Sequence, residues 1–163
     1  MRSTLGFLSV LVSLQANAFR ICDVEVGKPT TVEQVRSAMS VKCRPGWAGL
    51  NVCTGTARLA DRTAYANVVI GNNGIVQRIR LHPETTHYDK VLAQLLSRFG
   101  RPTSFKTFSA QDARGFSERQ EVRSWTTASG DELILMKFSA VRDRSLVYVG
   151  NAADRTLLGD KLE

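Results

Sequence analysis

The chain has 163 residues, 43% of them hydrophobic, and a formal net charge of +7. This length allows one ordinary domain with a core of its own. No apolar run approaches the length of a membrane-spanning helix, about 20 residues, so a transmembrane segment is disfavoured. The basic residues are interleaved with acidic ones, which disfavours a nucleic-acid partner.

The first eighteen residues have the layout of a secretory signal peptide. Met1 and Arg2 give a positive start, Leu5–Leu14 is apolar, and Ala16–Ala18 supplies small residues before a cleavage site. We expect residues 1–18 to be removed, and residues 19–163 to form a single α+β domain in the periplasm or outside the cell. Cys22 lacks the small residues that precede a lipidated cysteine.

The next segments predict one helix and one hairpin. Thr30–Met39 has the capping-box spacing at Thr30 and Glu33 and places its apolar residues on one helical face. Segment 43–53 contains Pro-Gly and a second glycine, and we expect a loop there. Strands at 65–70 and 75–81 flank the turn signal Gly71–Gly74 and form an antiparallel hairpin.

The second half predicts a longer helix followed by strands. Thr86–Phe99 carries an apolar stripe at helical spacing, with Thr86 as the expected cap. Gly100 suits the left-handed residue that follows a helix, and Pro102 prevents its continuation. A short apolar piece at 104–108 precedes a three-stranded meander at 121–127, 133–138 and 146–149.

Three cysteines, Cys22, Cys43 and Cys53, fall in the expected mature chain. In an oxidising compartment two of them are expected to pair. The favoured disulfide is Cys43–Cys53, because the glycines between them let the chain turn back. The competing pairings Cys22–Cys43 and Cys22–Cys53 remain open.

Two short matches suggest an internal duplication. Met39–Pro45 aligns with Leu96–Pro102 at an offset of 57, and Asn73-Gly74 aligns with Ser129-Gly130 at an offset of 56. They predict pseudo-repeats at about 28–82 and 86–150, each a helix followed by antiparallel strands. Side by side, the two units would form one antiparallel sheet with both helices on a single face.

This pattern resembles two classes of exported bacterial protein. The residues behind the resemblance are the Thr30–Met39 helix, the 43–53 loop, the run Arg98–Pro102, and Trp125 followed by Gly130. The classes are the β-lactamase-inhibitor proteins, which carry two helix-plus-meander units in tandem, and the small lipoproteins that assemble outer-membrane barrels. The resemblance spans about residues 28–150 and implies a binding module in the envelope or outside the cell.

No motif in the sequence points to a reaction or a cofactor. His82 and His87 are the only histidines, and with Pro83 between them they do not form a helical metal-binding pair. Neither a Gly-X-Ser-X-Gly elbow nor a glycine loop before a helix is present. The sequence therefore predicts no catalytic residue and no metal ligand.

The candidate binding site is one face of the expected sheet. Ile75, Ile79, Leu81, Leu133 and Leu135 are expected to face the helices, and Arg78, Arg80, Ile134, Met136 and Phe138 the other side. Arginines beside apolar residues favour a protein interface, and Trp47 in the 43–53 loop is a second candidate anchor. In the alternative interpretation, the chain's own loop or C-terminal segment covers this face, and Trp47 covers the core.

The sequence thus predicts an exported protein-binding module: an inhibitor, an immunity-type protein or an envelope assembly factor. One alternative is a binder of anionic envelope polymers, because 16 of the 22 basic residues are arginine. A second alternative is a small hydrolase without a recognisable motif.

Overall fold

The structure, a computed structural model, describes residues 18–111, 117–139 and 143–154, so the expected signal peptide lies almost wholly outside the described residues. Sheet dominates a mixed fold. The strands are β1 (Arg20–Ile21), β2 (Val24–Glu25), β3 (Ser40–Pro45), β4 (Asn51–Leu59), β5 (Arg62–Ile70), β6 (Val76–His82), β7 (Ser104–Gln111), β8 (Ser117–Thr126), β9 (Glu132–Met136) and β10 (Leu146–Gly150). The α-helices are α1 (Val32–Ala38) and α2 (Tyr88–Phe99), and two 3₁₀ turns span Trp47–Gly49 and Thr85–His87.

Eight strands form one antiparallel sheet in the order β3-β4-β5-β6-β10-β9-β8-β7. Each α-helix is followed by four strands that form a meander, and β6 and β10, the last strands of the two meanders, pair at the centre. The strands β3 and β7, which directly follow the two helices, are therefore the edges of the sheet. No helix among the described residues is long and apolar enough to cross a membrane.

Helix α1 is shorter than expected, and its capping box lies one residue further along the chain. The Thr31 side chain accepts a hydrogen bond from the Gln34 backbone, and the Gln34 side chain accepts one from the Thr31 backbone. The expected pair of Thr30 and Glu33 was wrong, because Gln34 supplies the same hydrogen-bonding group at the third helical position. Val35 and Met39 are buried, as the apolar periodicity predicted.

The predicted loop 43–53 is mostly strand, which corrects that interpretation. Cys43 and Cys53 are cross-strand partners on β3 and β4, with Cα atoms 3.9 Å apart, and they form a disulfide. Only residues 46–50 turn, and the Gly46 amide donates to the Leu50 carbonyl. Local Pro-Gly chemistry marks the turn but not its length, because strand pairing with β5 extends β4 on both sides of Cys53.

Helix α2 begins at Tyr88, after a 3₁₀ turn, so the expected cap at Thr86 was wrong. Its end follows the prediction. Gly100 has a positive φ of 72°, and its amide donates to the Leu96 carbonyl. The Trp125 indole N–H donates to the Gly100 carbonyl at 2.9 Å, which ties the helix end to β8.

The two-stranded hairpin β1–β2 was not predicted from the sequence. Its turn residues, Cys22 and Asp23, both have positive φ, as a tight two-residue turn requires. Phe19 is buried and packs edge-to-face on Phe99, with ring centroids 5.3 Å apart. The hairpin therefore covers the end of α2.

The core lies between the helices and one face of the sheet. Cross-strand partners share a face, so register assigns the sides. The inward residues Ile79, Leu81, Leu133 and Leu135 are fully buried and belong to one hydrophobic cluster with Val35 of α1 and with Val91 and Leu95 of α2. Both helices thus lie on the same side, and the opposite side is called here the outer face.

The predicted position of Ile75 and the predicted match of two turns were both wrong. Ile75 precedes β6 and is only partly buried, because a bulge between Val69 and Ile70 brings Val76 into the core instead. The match of Asn73-Gly74 with Ser129-Gly130 aligns the β5–β6 turn with the β8–β9 turn, which occupy different places in their meanders.

Candidate functional site

One row of cross-strand partners crosses the outer face from edge to edge. We call it the Arg80 row. Its members come from all eight strands: Lys42, Thr54, Asn67, Arg80, Tyr148, Ile134, Ser124 and Ser104. Strand alternation alone brings these residues together, since they are scattered from position 42 to position 148 in the chain.

A second row, the Arg78 row, is partly covered by the chain itself. Arg78 lies opposite Gly150, and the helical turn at 152–154 folds back over this position. The Asp154 carboxylate pairs with Arg78 at 3.3 Å and accepts the Tyr148 hydroxyl at 2.8 Å, and Asp154 is only 4% exposed. The alternative of cover by the C-terminal segment therefore holds for this part of the outer face.

Gly150 makes this cover feasible. The Tyr148 ring lies over Gly150, and a Cβ there would collide with the Tyr148 hydroxyl. The absence of a side chain lets that hydroxyl reach Asp154. Burial, followed by the hydrogen bond to Asp154, raises the pKa of Tyr148 well above its ordinary value, so this hydroxyl stays protonated as a donor.

Arg80 lies one row further along, beside the Tyr148 ring. Its guanidinium stacks on the Tyr148 ring, 5.9 Å from the centroid, and no carboxylate among the described residues forms a salt bridge with it. Burial, followed by repulsion from Arg78, lowers the pKa of Arg80. Burial removes this cation partly from water, and the nearby Asp154 charge opposes the shift without forming a salt bridge to it.

A third set of outer-face residues, the Tyr65 strip, is the apolar and open part. Tyr65 is paired with His82 and is 51% exposed. Across the sheet centre, Leu146 pairs with Met136, which pairs with Val122, and all three are partly exposed. A strip of partly exposed apolar side chains beside Arg80 is the composition that protein interfaces favour.

The remaining predicted site residues differ in accessibility. Ile134 is on the outer face but only 8% exposed, so it has little surface with which to contact a partner. Phe138 is partly exposed and follows the end of β9, where the Gln120 side chain bonds both its backbone N–H and its carbonyl. Arg78, Arg80 and Met136 are, like Phe138, partly exposed.

Trp47 is the most exposed large hydrophobic side chain of the described residues, at 89%. It lies at the tip of the β3–β4 hairpin, beyond the Arg78 row, whereas Met136 lies on the far side of the Arg80 row. The structure thus separates Trp47 from the Tyr65 strip. Cover of the core by Trp47, one of the two sequence interpretations, is wrong because the indole is open to solvent.

The two histidines do not converge. His82 is on the outer face, and its Nδ1 is buried without a hydrogen-bond partner, whereas His87 lies near Glu84 at 3.7 Å. Burial, then Arg80 and Arg144, lowers the pKa of His82 and keeps it neutral near pH 7. Among the described residues, no group of three or more His, Cys, Asp or Glu side chains could hold a metal ion.

Two further polar groups lie away from the outer face. Arg123 bonds the Tyr88 hydroxyl and the Glu121 carboxylate, forming a cluster whose charges compensate each other. The Cys22 thiol donates to the Arg58 carbonyl at 3.1 Å, and burial raises its pKa to about 11. This thiol is therefore protonated and unreactive at neutral pH.

Sequence reasoning missed Tyr148, Asp154 and the Tyr65–His82 pair. Alternation with Val147 and Val149 was a usable signal for Tyr148, because it assigns Tyr148 to the face opposite the core. Asp154 had no signal, since its position depends on a chain reversal after β10. Comparison with family models, curated proteins and solved structures found no match for the chain.

Proposed function

We propose that this chain is an exported protein-binding module whose outer sheet face docks on an acidic surface of a folded protein. The observation that carries the proposal is Arg80, a partly buried cation that forms no salt bridge with a carboxylate of the described residues and lies beside the apolar Tyr65 strip. A partner carboxylate that entered between Arg80 and the strip would supply the missing charge while apolar atoms exclude water.

Charge across the face supports an acidic partner. Strand alternation places six basic residues on the outer face: Lys42, Arg44, Arg58, Arg78, Arg80 and Lys106. Of these, Arg78 is paired with Asp154. Asp154 also demonstrates the recognition chemistry within the molecule, since it is a carboxylate held by a guanidinium and a tyrosine hydroxyl. Complementary charge would accelerate encounter and favour acidic partners over basic ones.

The proposal includes export and a two-unit origin. The Cys43–Cys53 disulfide favours an oxidising compartment, as does the signal-like start of the sequence. The order of one helix and a four-stranded meander, which occurs twice in the described residues, supports the two-unit origin that the sequence resemblance implies. Inhibitor, immunity-type protein and assembly factor all fit a module that acts by non-covalent contact.

The test uses matched variants in a capture experiment. Tagged chain is incubated with envelope and secreted proteins of the producing cell, and the captured protein is identified, purified and titrated. Met136→Asp and Arg80→Glu should each lower its affinity at least tenfold. Leu96→Asp and Lys90→Glu, the matched changes on exposed positions of α2, should leave it unchanged.

Circular dichroism must show that each variant is folded, and Arg80→Glu keeps the test decisive if Met136→Asp unfolds. Equal affinities of outer-face and α2 variants would contradict the proposal. Capture of an anionic polymer whose binding disappears steeply with added salt would instead establish the polyanion alternative.

A further inference from the structure

The two edges of the sheet are protected unequally. Edge strand β3 carries Lys42 and Arg44, ends in Pro45, and is tied to β4 by the disulfide. Charged side chains and proline are the devices that prevent an edge from pairing with another chain. Edge strand β7 reads Ser-Phe-Lys-Thr-Phe-Ser-Ala-Gln, with one lysine and neither proline nor acid.

Strand β7 also exposes apolar area on both of its sides. Among the described residues, five large hydrophobic side chains are exposed, and two of them, Phe105 and Phe108, are on this strand, at 52% and 51%. Phe105 is opposite Arg123 on the helix side, and Phe108 is opposite Gln120 on the outer side. A strand added at this edge would therefore bury a phenylalanine on each face of the sheet.

We propose that β7 pairs antiparallel with β7 of a second copy of this chain, so that one sheet continues through both copies. A two-fold axis perpendicular to the sheet keeps the outer faces of both copies on the same side. Residues paired across the axis must therefore both be odd-numbered or both be even-numbered. The register centred on Thr107 meets this condition. It places Lys106 of one copy beside Phe108 of the other on the outer face and keeps the two lysines from facing each other.

A second copy fits this edge better than an acidic partner. The edge presents a single cation, and its two phenylalanines and five small polar or apolar residues are uncharged. Identical antiparallel strands satisfy each other's backbone donors and acceptors, and each Lys106 ammonium meets an aromatic ring. This inference is independent of the proposed function, because it depends on the backbone and the phenylalanines of β7, whereas the proposed function depends on Arg80 and the Tyr65 strip.

The first test measures the mass of the chain in solution by light scattering coupled to gel filtration. We expect twice the monomer mass, and a return to the monomer mass in Thr107→Lys and Phe108→Lys, which place like charges across the two-fold axis. Ser40→Lys, the matched change on edge strand β3, should remain dimeric. Circular dichroism checks that each variant is folded.

The second test fixes the register by cross-linking. In a Cys22→Ser background, Thr107→Cys should form an intermolecular disulfide under mild oxidation, because residues on the axis are direct cross-strand partners. Ser40→Cys should not. A wild-type chain that is monomeric at every accessible concentration, or cross-linking through Ser40→Cys alone, would overturn the inference.

Discussion

At the scale of single residues, the informative contact is the one between Asp154, Arg78 and Tyr148. A carboxylate with almost no exposed surface stabilises a fold only while its charge and lone pairs are matched. Arg78 and the Tyr148 hydroxyl provide that match, at 3.3 and 2.8 Å. The contact thus fixes the C-terminal turn on the outer face, whereas the next arginine, Arg80, forms no salt bridge within the described part of the chain.

Removing this carboxylate should be costly. We expect Asp154→Ala to lower the free energy of unfolding by about 2–3 kcal/mol, because Arg78 and Tyr148 lose their partner in a buried position. Arg20→Ala, which breaks an exposed ion pair with Asp23, should change it by less than about 0.5 kcal/mol. Urea unfolding of both variants measures the difference, and equal effects would contradict the role given to Asp154.

The Cys22 thiol gives a pH-dependent prediction. Its pKa is about 11 in the folded chain against an ordinary value of 9.0, mainly through burial. The unfolded chain therefore loses this proton first as pH rises, so the thiol's contribution to stability is constant below pH 9 and falls between pH 9 and about 11.

Alkylation by iodoacetamide reports the same shift, because only the thiolate reacts. At pH 8 the folded chain should react much more slowly than the chain in denaturant, and its rate should keep rising to about pH 11. A folded chain that is alkylated at pH 8 as fast as the denatured one would disprove the buried thiol.

At the scale of elements, tight turns built without glycine stand out. The β4–β5 turn uses Ala60 and Asp61, which both have positive φ, at 49° and 58°. Residues with a Cβ pay a conformational cost in this region, and the strands on either side hold them there. The Ala60 backbone N–H donates to the Gln94 side chain, so this turn also supports α2.

Asp61→Gly should therefore raise the free energy of unfolding by about 1 kcal/mol, since glycine adopts the left-handed region without strain. The control is Thr63→Gly, an exposed position within β5, where the same residue should lower stability by a similar amount. Thermal unfolding of the two variants compares them directly. A loss of stability in both would mean that the turn is not strained.

Glycine at the end of an element decides which helices and strands could be predicted from the sequence. Helix α2 and the β5–β6 hairpin were predicted because an apolar stripe, Gly100 and the Gly71–Gly74 turn are strong local signals. Strand β4 was missed, because Ala60-Asp61 carries no glycine or asparagine to mark its end. Local chemistry cannot reveal a turn whose shape is imposed by the strands around it.

At the scale of the whole molecule, the sheet depends on the pairing of β6 with β10. This pairing joins two four-stranded meanders, and it brings Arg80 beside Tyr148 from the far end of the chain. The sequence predicted one antiparallel sheet with both helices on one side, and that arrangement is present. The offset of 56 residues does not align equivalent elements, because it joins the β5–β6 turn to the β8–β9 turn, which lie at different places in the two meanders.

The central claim is that the outer face, and not the helix side, contacts a protein partner. Hydroxyl-radical footprinting of the chain with and without its purified partner tests this most directly, since it reads individual side chains. We predict that oxidation of Tyr65 and Met136 slows in the complex while that of Leu96 on α2 stays the same. Protection of Leu96, with Tyr65 and Met136 as reactive as in the isolated chain, would contradict the account.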